Sequence, residues 1–453
     1  MRTEADASPT LNESGYRQEL DRRLSLGHLV VYGMIFMVPI APFAVYGFVS
    51  QESYGMVPLV YLVGIVAMFF TALSYKQLSG EFPIAGSVYS YVQRGLHPYA
   101  GFIAGWMILA DYLLVPGLIY AFSASWLQGL VPTVPGYVWI LAFVIINTLI
   151  NVLGIKLQSR ANLILLLIEL IALGIFIALA VKFVFIEGHG AGGWSVKPFF
   201  QPQHLNWSFI ATATSIAALS FLGFDAVSTL AEETKNPRKT VGNATVVSLI
   251  LLGSIFILQT YLAALAHPDY QSLDPKLGFF NIAREVGGAC LYISLILVNV
   301  IAAGIANALA AQSAIARILY AMGRDKTLPF AGFLARVHPK FKTPVNAMLL
   351  VAVLSVLLAL FVPEEAILKL VNFGALTAFM LLNITVFAFF YIRKKNRRNI
   401  FRYLVFPLLG LLIVGFVWSG FDQVTFLFGG AWLLAGLIIG YFKRAEFKSF
   451  EAL

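Results

Sequence analysis

Apolar stretches of membrane length recur from one end of the chain to the other, separated by short polar turns. Each is long enough to cross about 30 Å of hydrocarbon as a helix rising 1.5 Å per residue. The pattern predicts twelve spans, at 28–50, 55–79, 98–129, 136–154, 161–186, 206–231, 241–266, 286–319, 344–362, 365–392, 403–419 and 424–442. The expected fold class is therefore all-α, a polytopic membrane protein with 12 transmembrane helices. Residues 1–25 form a polar tail with no small-residue cleavage site after them, so no cleaved signal peptide is expected.

Charge supports this count. Lys and Arg concentrate on the cytoplasmic side of membrane proteins, and with the N-terminus inside, 26 of the 31 fall in inside segments. Only Lys182, Lys197, Lys276, Arg284 and Lys369 fall outside. Both termini are expected in the cytoplasm, and the net charge of +9 is expected to set topology and not to bind nucleic acid. Composition agrees: 12% of residues are charged and 59% hydrophobic, against about 25% charged in soluble chains. The single cysteine, Cys290, excludes an internal disulfide or a thiolate cluster and is expected as a small buried side chain. The six histidines are scattered near span ends, so neither a metal site nor a cofactor is expected.

Two spans break the helical pattern. Span 1 carries Met37-Val38-Pro39-Ile40-Ala41-Pro42 at its centre, and each proline removes a backbone donor and clashes with the preceding turn. Span 6 ends in Ser220-Phe221-Leu222-Gly223-Phe224-Asp225, a helix-weakening glycine followed by an acid. Interrupted backbone at bilayer depth survives where it is buried in protein or lines a wet cavity. Two such spans five apart, entering from opposite faces, are the pattern of an inverted five-plus-five repeat, and the long spans 3 and 8 fit the same pairing.

Three ionisable residues lie at depth, and all are acids: Asp111 in span 3, Glu169 in span 5 and Asp225 in span 6. A carboxylate inside a membrane costs about 2.5–3.5 kcal/mol on insertion scales and commonly marks a solute or ion pathway. Unpaired, it takes up a proton or attracts a cation; the alternative for each is a neutral carboxyl bonded to a neighbouring helix. Carriers that grip a carboxylate use exposed amides at half-helix N-termini. A break made by prolines offers carbonyls instead, which accept hydrogen bonds from ammonium groups. The aromatics Tyr112, Phe43, Phe221, Phe224 and Phe373 are candidates for cation–π contacts. Glu232-Glu233 is read as a solvated charge cluster, with an inner gate as the alternative.

These residues carry a resemblance. Gly223–Pro237, with GFD and EETKNP, resembles the sixth span and following loop of the amino acid–polyamine–organocation permeases. Pro83–Tyr89 resembles their P-x-A-G-S-x-Y loop, and Tyr320–Asp325 their Y-x-M-x-R-D loop. Within that family the chain is most similar to bacterial putrescine importers, which share the proline segment in span 1, FTALSY (Phe70–Tyr75), DYL (Asp111–Leu113), the GFD acid and NFGAL (Asn372–Leu376). The resemblance implies a LeuT-like transport core over 26–398 with helices 11 and 12 appended over 399–453, alternating access, and a bacterial inner-membrane location. It implies substrate contacts at Met37–Pro42, Asp111, Tyr112, Ser220, Phe221, Gly223, Phe224, Asp225 and Phe373, with proton coupling through Glu169, Asp225 and Asp111. Glu169 falls where the family has a sodium-mimicking lysine, and Leu219 where relatives often have an aromatic lid. The chain is thus expected to import putrescine or a related organic amine by proton symport, as a monomer or homodimer in membrane lipid. An amino acid symporter or exchanger is the alternative within the family; a channel or sensor and a membrane enzyme are the alternatives outside it.

Overall fold

The computed structural model describes residues 22–84, 87–153, 158–324, 331–341 and 343–442. Expectations resting on residues 1–21, Ala85, Gly86, Gly154–Lys156, Asp325, Lys326, Lys342, Lys443, Arg444 and Lys448 lie outside the described residues. Among the described residues every regular element is helical, beside an isolated parallel bridge between Leu24 and Thr234. Ten helices are long and apolar enough to cross a membrane. An eleventh span is a bent pair, Leu26–Met37 and Pro42–Glu52, at 56° to one another. Val345–Phe361 is apolar but has only 17 residues. Each stretch expected from the sequence overlaps one of these helices.

The boundaries differ most at span 8. Its helix starts at Gly278, and Gly288 interrupts it with φ 72° and ψ −170°. The segment before Gly288 has three charged or polar residues, Asn281, Arg284 and Glu285, that read as a loop, which is why the sequence placed the start at 286. Cys290, just past this interruption, is exposed and not buried as expected. A helix with one flank on the bilayer presents small apolar side chains outward at no cost.

Without a hydrophobic drive between helices in lipid, packing relies on small residues and on side-chain amides. Span 2 (Val57–Glu81) runs along span 7 (Pro237–Ala266), and span 3 (Pro98–Leu130) along span 10 (Glu364–Val386). Spans 3 and 10 come so close that a β-carbon on Gly374 would lie 2.6 Å from the Met107 carbonyl. Asn383 of span 10 accepts from Ser74 at 2.6 Å and donates to Thr71 at 3.1 Å, both on span 2. Spans 4 and 8 are joined the same way. Gln312 donates to Thr148 at 2.7 Å, and Asn147 donates at 2.8 Å to the carbonyl of Gly304, inside the π-helical turn Val300–Asn307.

The last span is tied to span 3 by a reciprocal tryptophan pair. Trp106 and Trp432 stack at 4.5 Å with 16° between their planes. Each indole N–H donates to the other residue's backbone carbonyl, at 2.8 and 3.0 Å. Trp432→Ala is expected to lower stability by about 3 kcal/mol through lost packing, and Trp432→Phe, which keeps a stacked ring but loses one bond, by about 1 kcal/mol. Thermal midpoints in detergent check this; equal losses in the two variants would show that the hydrogen bond, not the stack, dominates.

Candidate functional site

The break in span 1 begins where Met37 ends the first helix and Val38 turns into the left-handed region, φ 57° and ψ 108°. A β-branched residue there is strained by about 1–3 kcal/mol. Val38 N–H still reaches the Met34 carbonyl at 3.0 Å, and Ala41 N–H the Val38 carbonyl at 2.9 Å. Pro39 has no amide to give, and Pro42 opens the second helix at its first turn, where the missing amide costs nothing. The Pro39 carbonyl is taken by Gln259 of span 7, whose amide donates at 3.0 Å. The carbonyls of Ile35, Phe36 and Met37 receive no hydrogen bond among the described residues.

Span 6 is α-helical over Trp207–Ala217, tightens to a 3₁₀ turn over Ala218–Phe221, breaks, and resumes as a 3₁₀ helix over Phe224–Glu233. Gly223 makes the break with φ 106°. Its conformation and its surroundings both demand glycine, because a β-carbon would sit 2.8 Å from the Phe36 carbonyl oxygen and 3.2 Å from Met37 N. The two breaks therefore rest directly on each other. Asn372 of span 10 secures the carbonyls ahead of the span 6 break, donating to Ser215 at 2.6 Å and Ile216 at 3.2 Å. Beyond it, Arg23 and Leu24 N–H donate to the Glu233 carbonyl at 2.9 and 3.0 Å, and Lys235 N–H to Leu24 at 3.1 Å. The acidic exit of span 6 thus fastens the entry of span 1 through its backbone.

Between the breaks and spans 3 and 8 lies a cavity of about 220 Å³. Of the residues singled out from sequence, it brings together Met37, Val38, Ala41, Asp111, Tyr112, Gly223 and Asp225. The two acids differ in their surroundings. Asp225 accepts a hydrogen bond from Ser87 Oγ at 3.2 Å, and Ser87 also lies 3.4 Å from the Tyr75 hydroxyl. Asp111 has no hydrogen-bond or ion-pair partner among the described residues and opens onto the cavity. Glu169 is buried, 6% exposed, also without a partner among the described residues, but it does not line this cavity.

Several expected contacts lie elsewhere. Phe373 packs away from the cavity onto Trp418, Phe421 and Phe426, at ring separations of 5.3, 5.7 and 6.0 Å. Phe221 packs on Tyr61 and Phe256, and Phe224 on Tyr75 and Phe379. Phe43 stacks on Phe279 at 3.8 Å. Ser220 bonds Tyr61 at 2.8 Å. Pro39, Ile40 and Pro42 form the far side of the span 1 break and do not line the cavity. The physical reason is phase: Leu219 and Leu222, i and i+3 along the 3₁₀ turn, face the cavity and leave Phe221 turned into the bundle, while beyond the break at Gly223 Ala226 takes the cavity side and Phe224 packs inward. The cavity's aromatics are Phe36 of span 1 and, from span 3, Tyr112 with Phe122 and Trp126, which stack at 5.9 Å with 7° between planes. Span 8 adds Asn299 and Asn307, which sequence reasoning missed by weighing only ionisable residues at depth. Two amides eight residues apart in an apolar run, on one helical face, were the available signal.

The amino acid permease family model matches residues 26–434. The chain is 34% identical over 427 residues to the low-affinity putrescine importer PlaP of Escherichia coli (strain K12), covering 93% of both chains. It is 28% identical over 450 residues to the branched-chain amino acid permease BcaP of Bacillus subtilis (strain 168), again 93% of each. A methylthioribose transporter of the same organism is 27% identical over 457 residues, 95% of each. These relatives are transporters and not enzymes.

Gly223→Ala is expected to cost about 1–3 kcal/mol in backbone strain and to separate the two breaks. Gly174→Ala, at a helical glycine with nothing within 4 Å of the new β-carbon, should leave the melting midpoint unchanged or slightly raised. Parallel thermal melts and uptake assays read both; equal behaviour of the two variants would contradict the contact.

Proposed function

Because the chain belongs to the amino acid permease family, we propose that it is a secondary transporter that imports putrescine or a related organic amine by proton symport. The observation that carries this reading is the free carboxylate of Asp111, opening onto the same cavity as the unpaired carbonyls at the end of the first half of span 1. Both are acceptors, and an ammonium group is all donor. The amides that would hold a substrate carboxylate are missing at Pro39 and Pro42, and those of Ala41, Phe43 and Ala44 are spent on the carbonyls of Val38, Ile40 and Ala41. The Ile40 amide is the one left unspent among these, and Ile40 does not line the cavity, so a zwitterion's carboxylate would find few donors at this break, a cost a diamine does not meet. The putrescine importer at 34% identity points the same way.

The cycle rests on a LeuT-like arrangement with alternating access. Its support is the pairing of two broken spans five apart, and of two long ones, at 33 and 39 residues. In it, one ammonium group meets Asp111 and the carbonyls of Phe36 and Met37, with the aliphatic chain along Val115, Ile119 and Leu222. Asp225, bonded to Ser87, links the substrate cavity to the loop after span 2. Protonation would take the charge out of that bond and weaken the hold on Ser87, which opens the helix Ser87–Gly95. Glu169 is the candidate to hold a proton apart from the substrate. The expected orientation has both termini in the cytoplasm of a bacterial inner membrane.

Amino acid transport is the second reading, favoured by the 28% identity to a branched-chain amino acid permease. Reconstituted protein in liposomes decides between them. Putrescine accumulation is expected to rise with an inward proton gradient and to resist competition by neutral amino acids. Accumulation indifferent to the gradient would remove proton coupling, and full competition by leucine or valine would favour the second reading.

Asp111→Asn removes a charge-assisted hydrogen bond worth about 1.5–3 kcal/mol, so putrescine affinity should fall by roughly 10- to 150-fold, with the melting midpoint retained. Asp225→Asn should instead alter the pH dependence of uptake. Unchanged putrescine affinity in the Asp111 variant would place the ammonium elsewhere.

A further inference from the structure

Four cations in the loop between spans 10 and 11 are left without a carboxylate. Arg393–Arg402 reads RKKNRRNIFR, six positive charges in ten residues with no acid. Correct topology needs such charges somewhere near the membrane; it does not need them held in a fixed geometry. Here they are held. Below the loop, Phe390 of span 10 stacks on Tyr403 of span 11 at 4.7 Å with 14° between planes. Arg393 donates to the carbonyls of Gly95, at 3.3 Å, and Leu96, and Lys394 pairs with Glu81 at 2.5 Å. Those two side chains anchor the loop to the helix ends around residues 81–96. Lys395 then takes the left-handed conformation, φ 50°, which a residue other than glycine adopts at a cost.

What this arrangement presents is Lys395, Arg397, Arg398 and Arg402, all exposed and none with an acidic partner among the described residues. Arg397 lies 5.9 Å from the Tyr391 ring. Beside them Ile392, Ile400 and Phe401 are exposed, Phe401 by 68%. Cations carried on an anchored backbone, edged by apolar side chains at the end of two membrane helices, match a phosphate headgroup with its acyl chains. We infer that this loop is a binding site for an anionic phospholipid such as phosphatidylglycerol, seated at the membrane surface between spans 10 and 11. Arginine's planar fork suits phosphate oxygens in pairs, and three of the four cations are arginines.

The test is a titration of the purified full-length protein in detergent with phosphatidylglycerol, phosphatidylcholine and inorganic phosphate, read by native mass spectrometry and thermal shift. Phosphatidylglycerol should bind and stabilise more than phosphatidylcholine, and inorganic phosphate alone should do neither. Each cation removed should weaken the anionic lipid by on the order of fivefold. Arg397→Gln with Arg398→Gln and Arg402→Gln should therefore abolish the preference, and the matching triple Lys variant should retain most of it. Equal stabilisation by the two lipids in the unaltered protein would overturn the inference, as would a preference that survives in the Gln variant. Full stabilisation by inorganic phosphate would identify a solute anion and not a lipid as the ligand.

Discussion

A backbone that leaves the helix inside hydrocarbon must find partners for its polar groups or face water, and this requirement organises the structure. Span 1 cannot continue through Pro39 and Pro42, and span 6 cannot continue through a glycine at φ 106°. Each break is satisfied mostly from outside itself. Gln259 takes the Pro39 carbonyl, Asn372 takes two carbonyls ahead of the span 6 break, and Gly223 lets the breaks touch. The carbonyls not satisfied this way are those of Ile35, Phe36 and Met37, and Phe36 and Met37 face the cavity. These two carbonyls are the backbone acceptors that the span 1 break leaves to the cavity.

The acids follow the same accounting, and it separates three residues that look alike in sequence. Asp225 has Ser87, Asp111 has nothing but the cavity, and Glu169 has neither partner nor cavity among the described residues. An unpartnered carboxylate facing a cavity is available to a cation; one enclosed beside packed helices is available to a proton. Their shared residue type conceals three different surroundings.

Much of the fold was legible because a membrane imposes one strong rule on length and polarity. The span positions and both break points follow from it, since prolines and an ill-placed glycine act locally. The side-chain directions around the breaks do not. Phe221 and Phe224 looked like cavity aromatics from their nearness to Asp225, but the 3₁₀ turn ahead of Gly223 gives the cavity to Leu219 and Leu222, and no periodicity carries across the break to Phe224. Phe373 sits in a motif shared with relatives, yet it serves the packing of Trp418 and Phe426. Its neighbour Asn372 is the member of that motif which reaches span 6. Asn299 and Asn307 stayed hidden because an uncharged amide costs little enough in a helix bundle to pass as structural glue, as Asn147 and Asn383 in fact are.

The tryptophan clasp between spans 3 and 12 has a mechanical corollary. Span 12 lies outside the paired set of broken and long helices, yet it is bolted to the helix that bears Asp111 and not to either broken helix. Any load on span 12, from bilayer tension or from a neighbouring copy, reaches span 3 first. Span 11 is placed otherwise, its Phe416 ring packing on Trp207 of span 6, so the two final helices brace different walls of the bundle.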